Sequence, residues 1–573
     1  MAVFRRCCSN RSISTACSCS RSRRRRPRRP AKSRSARHKH PGGGRAEGLS
    51  SLIKSVGTIG GLTMVSRIFG FARDMLLSRI LGAGGVADAW QLAFQLPNIF
   101  RRLFAEGAFA AAFIPLFNQR MTKEGDHSEA RAFADAVLAV LIPTLIVFSA
   151  LLLIVMPWVM GLFASGALQA DGETFDLAVL MARIAFPYLA FMSVATLFAA
   201  ILNSLSRFAA AAAAPILLNI CLIGALLLGL FTGDSSEASK AATGLYLAIS
   251  VSLSGLFQLG WLYYWVRRSG FRPALRRPRL TADVREMGVL ILPAVFGAGV
   301  YQISRFIDLF FIATLPDKSI TYLAMADRLN QLPLGIIGIA LGTAILPALS
   351  RFVAQDDRDG AARLQSNAVE LAMLLTLPAA VALFVAGPAI TSAFYVGGQY
   401  SFADGLATGA VVGGLVVGLP AYVLVKVLVP NFFARKDTRT PVWTAAVSLA
   451  INIALNLLLI PPLGIVGLAL AGSIAAWCNV GMLYTILHRK GLFRLSGRVA
   501  GRIARIVLAA AAMAAALYYA IPLAGDAFIG GVFERVVALG ALVATGAIIF
   551  FGCAFLFGVV NRDTVGQLRR RKL

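Results

Sequence analysis

Acidic residues are scarce in this 573-residue chain, with 27 Asp and Glu against 56 Lys and Arg. All charged residues together make up 14%. Histidine occurs four times (His38, His40, His127, His488), always in the basic N-terminal tail or a loop, which excludes a histidine proton relay across a membrane. No G-x4-G-K-[ST] loop is present, so ATP hydrolysis by that route is excluded. No C-x2-C followed by a second such pair occurs, which argues against a zinc finger. The one acidic cluster, Asp356, Asp357 and Asp359, falls in a loop and reads as solvated rather than as a Mg2+ site of a membrane glycosyltransferase. Neither a metal nor a cofactor is expected. Ten-residue segments of alternating polarity are also missing, and that excludes a transmembrane β-barrel.

What the chain has in abundance is apolar sequence. It is 58% hydrophobic, with mean hydropathy +0.73. Runs such as 136–163, 184–202 and 536–559 reach or approach the ~20 residues that cross a bilayer. The expected fold class is therefore an all-α polytopic membrane protein. Basic loops at 267–285, 435–439, 489–505 and 569–572 alternate with loops poor in cations at 82–87, 164–176, 232–240, 388–403 and 522–530. By the positive-inside rule the basic loops are cytoplasmic, which gives about fourteen helices with both termini inside.

Residues 1–48 are different material, with fifteen Lys/Arg, the single acid Glu47, and Cys7, Cys8, Cys17 and Cys19. Nothing in them can build a core. A disordered cytoplasmic extension (or a misplaced gene start), a transit peptide, and an arm that binds nucleic acid or anionic lipid all remain open. Cys221, Cys478 and Cys553 lie in membrane segments and read as packing residues.

The sequence repeats at an offset of about 230 residues. Gln95-Leu96-Pro97 recurs as Gln331-Leu332-Pro333, Pro115 as Pro347, and Asn203-x3-Arg207 as Asn431-x3-Arg435. Six helices fit in that offset, so the halves are expected to be parallel, related by a pseudo-twofold axis along the membrane normal. The predicted organisation is a basic tail (1–48), an N-lobe (51–270), a C-lobe (283–490), a helix pair (499–560) and a basic tail (561–573). Rocking of the lobes would give alternating access.

Arginines inside apolar segments stand out against this background. Each costs ~2.5–3.5 kcal/mol at a helix centre, and a cation kept at such a cost usually faces an aqueous cavity and meets an anion. Ser66-Arg67-Ile-Phe-Gly70-Phe71-Ala-Arg73-Asp74 places Ser66 with Arg73, and Arg67 with Asp74, on shared helix faces. The second segment carries Asp88, Pro97, Arg101, Arg102 and Glu106; a later one carries Thr321, Asp327, Arg328 and Gln331. Local pairing is the competing expectation: Arg67 with Asp74, Arg101 or Arg102 with Glu106, Arg328 with Asp327. Arg79 and Arg102 read as interfacial or paired; Arg183, Arg305 with Asp308, and Lys426 read as helix-end or packing charges. The excess of cations favours an anionic ligand, and arginine suits phosphate in particular.

The run 66–74, the stretch Leu96-Pro97-Asn98-Ile99-Phe100-Arg101-Arg102-Leu103-Phe104-Ala105-Glu106-Gly107-Ala108-Phe109, the segment Ala326-Asp327-Arg328-Leu329, and Lys426-Val-Leu-Val-Pro430 with Asp437-Thr438-x-Thr440-Pro441 strongly resemble the MurJ (MviN) lipid II flippase family. The resemblance covers about 50–560. It implies a fourteen-helix member of the multidrug/oligosaccharidyl-lipid/polysaccharide exporter superfamily in the bacterial inner membrane. The implied partners are lipid II, membrane lipids and cell-wall synthesis proteins, with no nucleic acid. Transport would be energised by the membrane potential or an ion gradient. The family's cavity arginines fall on Arg67, Arg73, Arg101 and Arg328, its important aspartate on Asp88, and the groove for the polyprenyl tail on 499–560. Ser66, Asp74 and Glu106 join Asp88 as cavity or gating candidates. Two positions depart from the pattern of some members: Gln331 stands where they carry Glu, and Thr321 where they carry Ser. A flippase for another pyrophosphoryl lipid shares the same phosphate chemistry. A cation-coupled drug exporter would favour an acidic, aromatic cavity instead.

Overall fold

The computed structural model describes residues 43–102, 109–121, 128–234 and 236–559. The chain divides into Met1–Lys54, of which only a helical stretch from Gly43 onward is described, and Ser55–Leu573, which carries everything below. The described residues form helices in the order α1 (Gly43–Leu81), α2 (Gly85–Arg101), α3 (Ala110–Arg120), α4 (Ser128–Phe163), α5 (Gly166–Ala170), α6 (Gly172–Ala185), α7 (Tyr188–Ser204), α8 (Phe208–Thr232), α9 (Glu237–Arg268), α10 (Ala282–Ile312), α11 (Ser319–Pro333), α12 (Ile339–Ala354), α13 (Arg358–Tyr395), α14 (Phe402–Val416), α15 (Leu419–Ala434), α16 (Arg439–Leu463), α17 (Ile465–Arg489), α18 (Gly497–Leu523) and α19 (Val532–Leu556). No strand occurs among the described residues; a single isolated bridge joins Gly397 and Tyr400.

Eleven helical spans among the described residues are long and apolar enough to cross a membrane, three fewer than the sequence predicts. The predicted first and second spans are helical, as α1 and as α2 followed by α3, but these segments carry Arg67, Arg73, Arg101 and Arg102. The predicted seventh is the helix α10.

Backbone chemistry explains the ends and interruptions. Ser165, Ser236, Thr281, Ser401 and Ser496 accept hydrogen bonds from backbone N–H groups of the first turns of the helices they precede. Pro333 has no N–H to donate, and after it the chain widens into a π-helical turn, Leu334–Gly338, before continuing as α12.

Helices α2 and α6 to α9 pack on one another, as do α12 to α17, and α18 packs on both α13 and α19. One apolar cluster runs from Leu77 and Trp90 through Tyr188, Leu222 and Leu247 to Met325 and Tyr395. A second gathers Val423, Leu487, Met513, Leu542 and Phe550. The cationic residues lie beside the first.

Candidate functional site

The centre of the site is a trio of charges on two helices. Asp74 Oδ1 accepts from Arg73 Nη2 at 2.6 Å and from Nε at 3.0 Å, while Asp74 Oδ2 lies 3.1 Å from Arg328 Nε. One carboxylate thus joins a guanidinium of α1 to a guanidinium of α11, and the trio carries a net single positive charge. Arg73 is 7% exposed and Asp74 3%. Burial at that level is tolerable only because each charge finds a counter-charge and hydrogen bonds. Arg73 Nη1 also donates to Asn219 Oδ1 of α8 at 3.1 Å, and Asn219 Nδ2 donates to the Ser66 carbonyl at 3.0 Å. The Arg73 guanidinium lies 5.9 Å from the Phe94 ring. With Leu77, Trp90, Gln91, Phe94, Leu222 and Leu247 the trio lines a narrow cavity of about 10 Å³, room for a single water.

Two further cations meet glycine. Gly335 lies in the π-helical turn, seven residues beyond Arg328, and Arg67 lies six residues before Arg73. At 1.5 Å per residue both steps cover about 10 Å of helix axis. The Arg67 guanidinium packs directly on Gly335, in space that any side chain at 335 would fill. Among the described residues, Arg67 makes no ion pair with a carboxylate. Three residues on, a methyl group at Gly338 would lie 3.2 Å from Lys426 Nζ of α15. The widened turn therefore presents two side-chain-free positions, each taken up by a cation. Arg101 ends α2, ten residues beyond Gln91 of the cavity wall.

At one end of the bundle the same helices are fastened together. Asp88 of α2 is 1% exposed, and its Oδ1 accepts from Thr321 N at 2.8 Å and Thr321 Oγ1 at 2.5 Å. Its carboxylate therefore serves the N-terminus of α11, where negative charge is favoured. Nearby, Gln399 N donates to the Arg79 carbonyl at 2.9 Å and Ser78 Oγ to the Tyr395 carbonyl at 3.3 Å. Gly166 N donates to the Ala313 carbonyl at 3.3 Å. Asp404 adds a knot on the neighbouring helix, accepting from Lys318 at 3.1 Å and Tyr322 at 2.6 Å.

An apolar groove of about 260 Å³ runs between α13 and the pair α18–α19. Pro378, Ala386, Met513, Leu542, Gly546 and Phe550 are among its lining. It offers no charged group.

Several sequence expectations change in contact with this geometry. Asp74 pairs with Arg73 and Arg328 rather than with Arg67, because α11 brings a guanidinium to its outer oxygen. Arg328 reaches Asp74, and Asp327 accepts from Gln331 Nε2 at 2.5 Å. Ser66 contributes its backbone carbonyl, and Thr321 binds Asp88. Lys426, expected as packing, lies against the π-helical turn. Arg183 donates to the Leu153 carbonyl at 3.1 Å, a packing contact. Asp357 caps α13 and Asp356 lies 3.7 Å from Arg358. Among the described residues no cluster of His, Cys, Asp and Glu could hold a metal. Glu106 and the Arg305 side chain lie outside the described residues. Asp437 accepts from Thr440 N at 3.0 Å and from Lys490 at 3.1 Å, so this motif fixes a helix start. Its carboxyl is held below the usual range chiefly by the Thr440 N–H. Sequence reasoning missed Asn219, although a lone amide in the apolar run 208–232 is a usable signal.

Among the described residues, an all-α bundle with eleven membrane-length spans, a charge trio lining a narrow cavity and an apolar groove on its flank define a polytopic membrane protein of transporter type. The sequence model of the family described as lipid II flippase MurJ matches residues 77–538. A relative from Rhizobium meliloti, described as a probable lipid II flippase MurJ, is 41% identical over 526 residues, covering 91% of this chain and 97% of that protein. The lipid II flippase MurJ of Burkholderia cenocepacia is 31% identical over 513 residues, covering 89% and 98%. The chain belongs to the MurJ family. Among solved structures, a lipid II flippase MurJ in an inward closed conformation superposes with a TM-score of 0.69 at 22% identity, covering 87% of this chain and 98% of that one. An inward-facing multidrug resistance MATE family transporter of the MOP superfamily gives 0.61 at 14% identity, covering 76% and 98%. Both share the fold.

Proposed function

We propose that the chain flips lipid II, the lipid-linked peptidoglycan precursor, from the cytoplasmic to the periplasmic leaflet of the bacterial inner membrane. The observation that carries this reading is the Arg73–Asp74–Arg328 trio, two guanidinia sharing one buried carboxylate across α1 and α11. A pyrophosphate cannot cross hydrocarbon unaided. It can, however, replace its hydration with guanidinium forks, which match phosphate oxygens in pairs. Family membership supports the lipid-linked substrate.

The basic loops 267–285, 435–439 and 489–505 belong at the cytoplasmic face, with both termini. The fastened end, where Asp88 holds Thr321 and Gln399 holds Arg79, then faces the periplasm. In this state Arg67 and Lys426 lie nearer the cytoplasm than the trio. An entering pyrophosphate meets these two cations first and the trio afterwards. Exchange of Asp74 for phosphate at Arg328 loosens the α1–α11 seam, and the lobes 51–270 and 283–490 rock to open the other face. The polyprenyl tail remains in lipid, seated in the groove between α13 and the pair α18–α19. The driving force is the membrane potential or an ion gradient; the potential alone is worth ~2.3 kcal/mol per charge per 100 mV. The chain acts as a transporter, not a catalyst.

The test is growth rescue of cells depleted of their own lipid II flippase, combined with an assay of lipid II exposed on the outer leaflet. Rescue by the wild type and loss in Arg328→Ala at equal membrane abundance is the expected result. Rescue only of a strain lacking another pyrophosphoryl-lipid flippase would reassign the substrate.

A further inference from the structure

Helix α9 ends in a belt of aromatic residues that marks a bilayer interface. Tyr263 and Tyr264 are 39% and 52% exposed. The Arg267 guanidinium lies 5.7 Å from the Tyr263 ring, and Arg268 lies 5.5 Å from the Trp265 ring while donating to the Tyr264 hydroxyl at 3.0 Å. Tyrosine and tryptophan gather at headgroup level because one part of the ring is apolar and another hydrogen-bonds. Immediately after this belt, Gly270 takes φ +85 and turns the chain. Residues 271–281 then run without secondary structure to the start of α10.

The start of this segment is pinned. Phe271 is 3% exposed, with its ring 5.7 Å from Phe117 and the Arg131 guanidinium 5.8 Å above it. Ala274 N donates at 2.8 Å to Asp135 Oδ1, and Asp135 is fully buried. Beyond that point the composition is unusual for a solvated loop. Leu275 and Leu280 are 70% and 74% exposed, and Arg272, Arg276, Arg277 and Arg279 are exposed among them. No acid occurs in 271–281. The next two, Asp283 and Glu286, are engaged by Arg120 at 2.8 and 3.5 Å.

We infer that residues 272–280 form an interfacial anchor for anionic phospholipid. Leu275 and Leu280 seat below the headgroups, while Arg272, Arg277 and Arg279 pair with lipid phosphates. Two exposed leucines beside Arg272, Arg277 and Arg279, none of them ion-paired among the described residues, suit a negatively charged bilayer surface, which accepts the apolar and the cationic groups together. Arg276 is shared with Asp135, 3.4 Å from its Nε. Phe271 and Asp135 hold the anchor against α3 and α4, so lipid engagement acts on a segment already positioned by the fold. The inference requires the chain to lie in a bilayer but does not depend on which lipid it transports.

Hydrogen–deuterium exchange of the full-length protein in nanodiscs tests it. One set of discs is phosphatidylcholine alone; the other contains phosphatidylglycerol as well. Backbone amides of 275–280 should exchange at least ~5-fold slower in the anionic discs. The triple variant Arg272→Gln/Arg277→Gln/Arg279→Gln should lose that difference while other regions exchange as in the wild type. Equal wild-type exchange in both discs overturns the inference without needing any variant. So does protection that persists in the triple variant. Protection that appears only on adding soluble polyglutamate or single-stranded nucleic acid overturns it in favour of a soluble anionic partner. Lipid flipping is not read in this experiment, so its outcome is separable from that of the transport reading.

Discussion

The Arg73–Asp74–Arg328 trio and the Arg67–Gly335 contact lie along one seam between α1 and the segment that begins with α11, yet they hold their cations in opposite ways. In the trio, a carboxylate already occupies the guanidinium faces that a phosphate would use. At Gly335 the guanidinium rests on backbone, with no carboxylate paired to it among the described residues. Under the proposed function the trio would serve both as a fastening and as a binding group, whereas Arg67 would be a receptive charge with little structural duty. A transporter benefits from both. Ligand binding at the trio must break a protein contact and so can drive a conformational change; binding at Arg67 need not.

Four variants and one control separate the two kinds of site. Asp74→Asn should have the largest effect, leaving two guanidinia without their carboxylate. Loss of a buried partner costs about 3–5 kcal/mol, and the lower end applies here because the Arg328 side chain is 35% exposed. A marked fall in the detergent-solubilised unfolding midpoint, together with lost flipping, is expected. Arg67→Ala should abolish flipping while shifting stability by no more than about 0.5 kcal/mol, as for a residue outside any ion pair. Measuring both quantities on one preparation checks the contrast; a large stability loss would show that Arg67 is a structural residue after all. Gly335→Val should slow flipping roughly tenfold, about 1.4 kcal/mol, by pushing the Arg67 guanidinium off its seat. Gly546→Leu should lower transport about threefold by filling the apolar groove, with overpacking limited by its open side.

The control lies outside the seam, between α15 and α16. Asp437→Ala removes the carboxylate that accepts from Thr440 N and should cost about 1 kcal/mol of stability without changing flipping per folded molecule. The Asp437 carboxyl sits below its usual range in the folded chain. The native state therefore favours the ionised form, and its stabilisation is present above the unfolded value and lost as pH falls through the folded one. A melting series from neutral to acid pH, with Asp437→Ala alongside, reads this directly.

The class of fold was legible in the sequence because lipid leaves few ways to satisfy a backbone, and long apolar runs declare the helical one. The arginines were legible for a related reason: their cost inside such runs marks them. Their partners were not. Asp74 is adjacent in sequence to Arg73 and shares a helix face with Arg67, but its second oxygen goes to Arg328, which only tertiary packing brings near. The cation seats at Gly335 and Gly338 depend on a π-helical turn that apolar periodicity does not announce. A lone lysine such as Lys426 gives no hint in the sequence that a glycine awaits it on another helix. Thr321 looked like a substitution for serine, yet its hydroxyl and backbone N–H both reach Asp88.

The most direct measurement is outer-leaflet exposure of lipid II in flippase-depleted cells carrying the wild type, Arg67→Ala or Arg328→Ala at matched membrane levels. Restoration of exposed lipid II and growth by the wild type, and by neither variant, is the predicted result. Normal exposure in either variant would contradict the assignment of these cations to the lipid-linked pyrophosphate.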